Sequence, residues 1–180
     1  GDGLLDIYVC KAGKPEESNR HTELFINQGD LTFKEQAATY GLDIMGLSIH
    51  SAFFDYDRDG DLDCYILNNS IRSVGGFDLS EGQRNIPDAE GNKFLRNDNG
   101  KFVDITTQAG IYSSKIGYGL GITVSDFNGD EYPDIFISND FFERDYLYLN
   151  KKDGTFNEVG TSAFSTMSMG SMGADVTDLD

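Results

Sequence analysis

Asp55-Tyr56-Asp57-Arg58-Asp59-Gly60-Asp61-Leu62-Asp63 is the stretch from which the fold follows. It returns further on as Asp126-Phe127-Asn128-Gly129-Asp130-Glu131-Tyr132-Pro133-Asp134. Both runs set oxygen-bearing side chains at loop positions 1, 3, 5 and 9. These are Asp55, Asp57, Asp59 and Asp63 in the first, and Asp126, Asn128, Asp130 and Asp134 in the second. A Ca²⁺ ion takes about 6–8 oxygens, mixing carboxylates with a backbone carbonyl. That carbonyl is expected at position 7, from Asp61 and Tyr132. Carboxylates drawn to within roughly 5 Å repel by about 3 kcal/mol per pair at an effective dielectric near 20. Such a loop is strained when empty, and a divalent cation relieves it. A solvated acidic turn would explain one copy, but two copies with aligned apolar flanks point to two metal sites.

An EF-hand needs a glutamate at position 12 and a helix on each side. Position 12 is Ile66 in one loop and Ile137 in the other, and the following runs, Cys64–Asn68 and Ile135–Asn139, are short and rich in β-formers. These loops feed strands. The second site is expected to be the weaker, because Asn128 is neutral and Glu131 stands where the first loop has Gly60, unless Glu131 turns inward as an extra ligand.

The surroundings of the loops repeat as well. A strand-like run precedes each, Ser51–Phe54 or Gly121–Ser125, and a hairpin follows, Lys93–Asn97 to Lys101–Asp104 or Tyr146–Asn150 to Thr155–Glu158. A third hairpin, Glu23–Asn27 to Leu31–Glu35, lies upstream. Gly-Asp, Asn-Gly and Asp-Gly turns are strong hairpin signals. The unit is strand A, metal loop, strand B, connection, strand C, tight turn, strand D. Repeated four-stranded units suggest propeller blades. The expected fold is therefore all-β, a segment of a β-propeller built of four-stranded antiparallel blades with Ca²⁺-binding A–B loops. Its divisions are a partial blade over 1–45 (strands B to D), complete blades over 46–113 (with a long B–C insert, 70–91) and 114–165, and strand A of a further blade over 166–180. Thrombospondin-type calcium repeats share the acidic spelling but are short and cysteine-rich, and this chain has only two Cys.

Both ends read as halves of a metal loop. Asp2, Leu4 and Asp6 match its second half running into strand B, and Asp178 and Asp180 match its first half after a strand A. The expectation is an excerpt of a longer repeat array, with a third Ca²⁺ site split between the ends. Completion of that site by a neighbouring chain is the less favoured reading.

The residues His50–Asp63, Asn139–Tyr148 and Ser171–Asp175 resemble the FG-GAP or VCBS repeats of integrin-α-like β-propellers, whose blades carry a D-x-D-x-D-G-x-x-D calcium loop. Among these they are most similar to the bacterial cartilage-acidic-protein-like family, which is often paired with an ASPIC/UnbV domain. The resemblance implies a secreted or surface-attached protein, lipid-anchored if further sequence provides for it. Such propellers serve adhesion, ligand binding and occasionally as enzyme scaffolds.

The 180 residues hold about three blade equivalents, whereas propellers need roughly 4–8, so the rest of the propeller is an expected partner. With 31 acidic against 14 basic residues the net charge is −17. That argues against nucleic acid or an anionic membrane surface as partner. No apolar run is long enough to span a bilayer. Calcium points outside the cell, since weak extracellular sites would stay empty in a resting cytosol. Cys10 and Cys64 are expected as buried free thiols rather than a disulfide.

A meander puts the metal loops and tight hairpins at one end of a blade and the B–C and D–A connections at the other. Long connections are often functional, which makes Arg72, Phe77, Arg84, Phe141, Phe142 and Arg144 the candidates for contact with a glycan or protein ligand. Phe141 and Phe142 have a competing role in packing between blades. No nucleophile elbow, HExxH, CxxC or phosphate loop is present. His50 is expected in a buried hydrogen-bonded role, His21 in a polar loop, and Met167, Met169 and Met172 in packing or a mobile loop. No catalysis is expected of this chain, and that of the full-length protein is left open. The expected function is a calcium-stabilised extracellular binding or adhesion module. The alternatives are a non-catalytic part of a secreted polysaccharide-active enzyme, or a purely structural repeat.

Overall fold

A computed structural model of the chain describes residues 2–13, 19–70, 81–141 and 143–179. The sequence candidates Arg72, Phe77, Phe142 and Asp180 lie outside these. The protein is all-β, with three antiparallel sheets in which strands follow one another in chain order. The first sheet holds β1 (Ile7–Val9), β2 (Glu23–Asn27) and β3 (Phe33–Glu35). The second holds β4 (Ser48–Phe54), β5 (Asp63–Asn68), β6 (Lys93–Asn97) and β7 (Phe102–Asp104). The third holds β8 (Gly119–Ser125), β9 (Asp134–Asn139), β10 (Tyr146–Asn150) and β11 (Phe156–Glu158). This is a β-propeller segment of one three-stranded and two four-stranded blades.

Burial follows the period-2 alternation of strands. Every residue of β5 is buried, because a sheet packs on each of its faces. Cys64 and Ile66 join Leu24, Ala37, Leu42 and Leu95 in a core between the first and second sheets. Tyr65 and Leu67 point the other way, into a larger core with Phe94, Ile135, Ile137, Tyr146 and Tyr148 between the second and third. Fully burying a side chain of this size stabilises the fold by about 1.5–3 kcal/mol, so the seams between sheets hold the assembly together.

Strands A begin earlier than their apolar runs suggest, at Ser48 and Gly119. Each has a register shift at the equivalent place, Ser48/His50 and Gly119/Gly121. The bulge breaks the alternation that marks a strand in sequence. Two one-turn helices, α1 (Ala37–Tyr40) and α2 (Gly160–Ala163), close the first and third units. Gly41 ends α1 at φ 81°, where a Cβ would stand 2.6 Å from the Phe102 carbonyl oxygen, so only glycine fits.

Residues 164–179 form no strand, although a strand A was expected there. The segment is nonetheless docked in that register. The Ser171 N–H donates to the Asn139 carbonyl (2.9 Å), as the Ser48 N–H donates to that of Lys11 (3.0 Å), each seven residues before a first loop acid. Strand pairing requires a neighbouring strand B, and no such strand follows residue 171 among the described residues.

Candidate metal centre

The first loop is folded by its own carboxylates. Asp55 accepts the N–H groups of Asp59 and Gly60 through its two oxygens (both 3.1 Å), and Asp59 Oδ1 accepts the Asp61 N–H (3.0 Å). Asp63, buried at the start of β5, accepts the Tyr56 N–H on Oδ2 (3.1 Å) and the Asn97 N–H on Oδ1 (2.9 Å). The turn needs left-handed backbone at positions 4 and 6, Arg58 (φ 64°) and Gly60 (φ 98°). As a result Asp55, Asp57 and Asp63 each bring an oxygen within 4.8 Å of the others. Oxygens each about 2.4 Å from a shared Ca²⁺ lie no further apart than about 5 Å. Asp57 Oδ1 and Asp61 Oδ1 are buried without a hydrogen-bond partner among the described residues. A buried oxygen of this kind is costly unless something positive faces it.

Electrostatics agree with the geometry. Burial, then the charge of Asp59, pushes the Asp57 carboxyl above its usual range, and the same two causes raise Asp61. Burial pushes Asp63 up to about 6, against the lowering effect of the Asn97 and Tyr56 N–H groups. The residues fit a hard, oxygen-bound divalent cation.

The second loop has the same frame and a different filling. Asp134 accepts the Phe127 N–H (2.9 Å) and the Asn150 N–H (2.7 Å), the counterpart of Asp63, and burial raises its pKa. Asp126 accepts the N–H groups of Gly129, Asp130 and Glu131, led by Glu131 at 2.7 Å, and these hold its carboxyl below the usual range. Gly129 (φ 74°) and Glu131 (φ 73°) take the two left-handed positions, so each loop has one glycine and one non-glycine there, in opposite order. The strain expected from Glu131 is therefore matched by that at Arg58. Glu131 does not turn inward: its exposed carboxylate faces Arg58 at 3.4 Å. The Asn128 amide donates to Asp130 Oδ2 (3.1 Å), and the Lys152 ammonium lies 3.5 Å from that same oxygen and bonds the Asp130 carbonyl (3.1 Å). Tyr132 lies under Arg58 and Lys152, 5.3 and 5.1 Å from its ring centre.

One recurring structural position, filled by three residues, was missed from sequence. The last residue of each strand C is an asparagine that ties the hairpin to the acidic loop. The N–H groups of Asn27, Asn97 and Asn150 donate to Asp6, Asp63 and Asp134, while their side-chain amides donate to the carbonyls of Leu5, Leu62 and Pro133. Its signal was present, an Asn before every tight turn. Asn150 also donates to the Tyr56 carbonyl across the seam (2.8 Å), and the Tyr56 ring sits between Phe94 (4.9 Å) and Phe156 (6.0 Å).

The remaining candidates are dispersed. Asp2 Oδ1 accepts the Leu4 N–H (2.9 Å) and Asp6 accepts from Asn27, as the second half of a loop would. Asp178 is exposed at the other end of the chain. Arg84 is paired with buried Glu143 (2.6 Å), and Arg144 is paired with half-buried Glu158 and lies over Tyr146. Phe141 packs edge-on to Tyr118 (5.4 Å) and stays 41% exposed. His50 is exposed rather than buried and keeps the expected hydrogen bond: on edge strand β4, its Nδ1 accepts the Ile122 N–H of β8 at 3.4 Å. His21 pairs with Asp43 (2.7 Å). Both cysteines are free thiols, Cys64 buried and Cys10 half-buried. Met169 and Met172 are exposed. No described helix is long and apolar enough to cross a membrane.

Compared with known families, the chain matches the FG-GAP-like repeat over residues 1–66 and 126–180. Each matched stretch runs from one acidic loop to the next. No curated protein compared with the chain matches it.

Proposed function

The chain belongs to the FG-GAP-like repeat family, and from that premise we propose that this propeller module is stabilised by Ca²⁺ at its A–B loops. It works outside the cell as a binding or adhesion module for a glycan or protein ligand. One observation carries the metal assignment: three carboxylates converge within 4.8 Å while buried oxygens of Asp57 and Asp61 face no donor among the described residues. An all-oxygen set on an irregular loop suits Ca²⁺, which tolerates flexible geometry, better than Mg²⁺, which demands an octahedron. The first loop is the principal site.

With a dissociation constant near 10⁻⁴ M and about 1 mM free Ca²⁺, one site adds ~1.4 kcal/mol of stability. Chelation is expected to lower the melting temperature by roughly 3–6 °C, and Asp57→Ala to abolish most of that difference. An unchanged melting temperature with and without chelator would defeat the assignment.

Ligand contact is assigned to the end opposite the metal loops. Phe141 supports this: an aromatic held at φ 60°, a conformation unfavourable for any non-glycine residue, yet 41% exposed. Glycan-array binding that is lost in Phe141→Ala, with melting unchanged, is the expected result. Retained binding would move the ligand elsewhere.

A further inference from the structure

We infer that a cleft at the end opposite the acidic loops is a subsite for one neutral pyranose unit of a glycan. The inference rests on the binding role proposed above and gives that role a ligand class and a place. The cleft lies between the connection from β5 to β6 and the connection from β7 to β8. It has a volume of about 190 Å³, with Arg84 and Asn85 on the first connection and Thr107, Tyr112 and Ser113 on the second.

These walls are held by the protein itself. The Asp88 N–H donates to the Ser113 carbonyl (2.6 Å) and the Ser113 hydroxyl to that of Asp88 (3.3 Å), fastening one connection to the other. Arg84 Nε donates to Glu143 of the third blade (2.6 Å), a buried carboxylate that fixes the plane of the guanidinium. Tyr112 meets Tyr146 and Tyr148 edge-on, at 5.3 and 6.1 Å, and its N–H donates to the Tyr148 hydroxyl (3.1 Å). Between Thr107 and Tyr112 the chain turns at Gly110 (φ 79°), where a Cβ would stand 2.9 Å from the Phe156 carbonyl oxygen. A site fixed in this way loses little conformational freedom when it binds.

Size and chemistry select the ligand. Pockets for drug-sized molecules run to roughly 300–1,000 Å³, so the smaller cleft takes one ring, and the exposed Asn85 and Thr107 mark the way out for the rest of a glycan. A pyranose has an apolar C–H face and a rim of hydroxyls. The half-buried Tyr112 offers a rigid amphipathic surface to the face. The Asn85 amide and the Thr107 and Ser113 hydroxyls offer donors and acceptors to the rim. Charge favours a neutral sugar: Glu143 balances Arg84, Glu158 balances Arg144, and the net charge of −17 repels an acidic one.

The test is titration of the protein with methyl glycosides of neutral hexoses, followed by NMR, beside glycan-array binding. Shifts are expected in the amides of Asn85, Tyr112 and Ser113, with a dissociation constant on the order of 1 mM. Tyr112→Leu should weaken binding about tenfold, and Tyr112→Phe much less because the ring remains. Thr107→Trp, at an exposed position, should fill the cleft and abolish binding with melting unchanged. Glycan binding that survives both Tyr112→Leu and Thr107→Trp, or shifts confined to residues outside the cleft, overturns the subsite and leaves the binding role standing. An array on which the unaltered protein binds no glycan overturns the subsite too, and leaves only a protein ligand for the role.

Discussion

The loops at 55–63 and 126–134 share a frame and differ in charge. In both, the position-9 aspartate is cradled by the N–H of position 2 and that of a strand-C asparagine. In both, positions 4 and 6 are left-handed. The first loop then leaves carboxylate oxygens facing one another. The second meets its acids from within, through the Asn128 amide and the Lys152 ammonium on Asp130. The residue two past the strand-C asparagine makes part of this difference, Asn99 in one blade and Lys152 in the other. Loop geometry is therefore a property of the fold, and the charge within the loop is a separate property of the side chains that fill it.

The largest effects should come from attacking the shared frame. Asp63→Ala and Asp134→Ala each strip the acceptor from two N–H groups, at about 1–3 kcal/mol per orphaned group. In chelator both are expected to lose ~3 kcal/mol, roughly 6–12 °C in thermal melts. A much milder Asp134→Ala would break the equivalence. The filling is tested next: Asn128→Asp combined with Lys152→Ala adds a carboxylate and removes a competing cation. Calcium affinity of the second loop should rise roughly tenfold or more, seen by calorimetry as a second binding event. No gain would mean that charge is not the distinction. The smallest effect is on pH dependence. Asp63 titrates near 6 when folded against an ordinary 3.8, so the folded, metal-free protein holds the extra proton between those values. Its contribution is favourable at low pH and is lost as pH rises through that window. Cation binding must then release protons at pH 5 that it does not release at pH 7.5, measurable as a buffer-dependent binding heat.

Much of this was legible in the chain. Loops and hairpins rest on contacts a few residues apart, and their signals are local: acids at alternate positions, turn dipeptides, short β-rich runs. The early starts of β4 and β8 were hidden because a bulge interrupts alternation. Arg84 and Arg144 read as loop cations free to meet a ligand, yet Glu143 and Glu158 claim them, at separations of 59 and 14 residues. His50 read as buried because its neighbours are apolar, and it stays exposed while meeting the Ile122 N–H, a partner 72 residues away on another sheet.

Spacing by itself dictated the four-strand unit, the oxygen-rich turns and the all-β class, since each follows from backbone geometry over a dozen residues or fewer. Folding decided the rest. Tyr56 became the plug of a seam between sheets and Lys152 the internal counter-ion of the second loop, because packing brings together residues of separate strands and blades that no local pattern links.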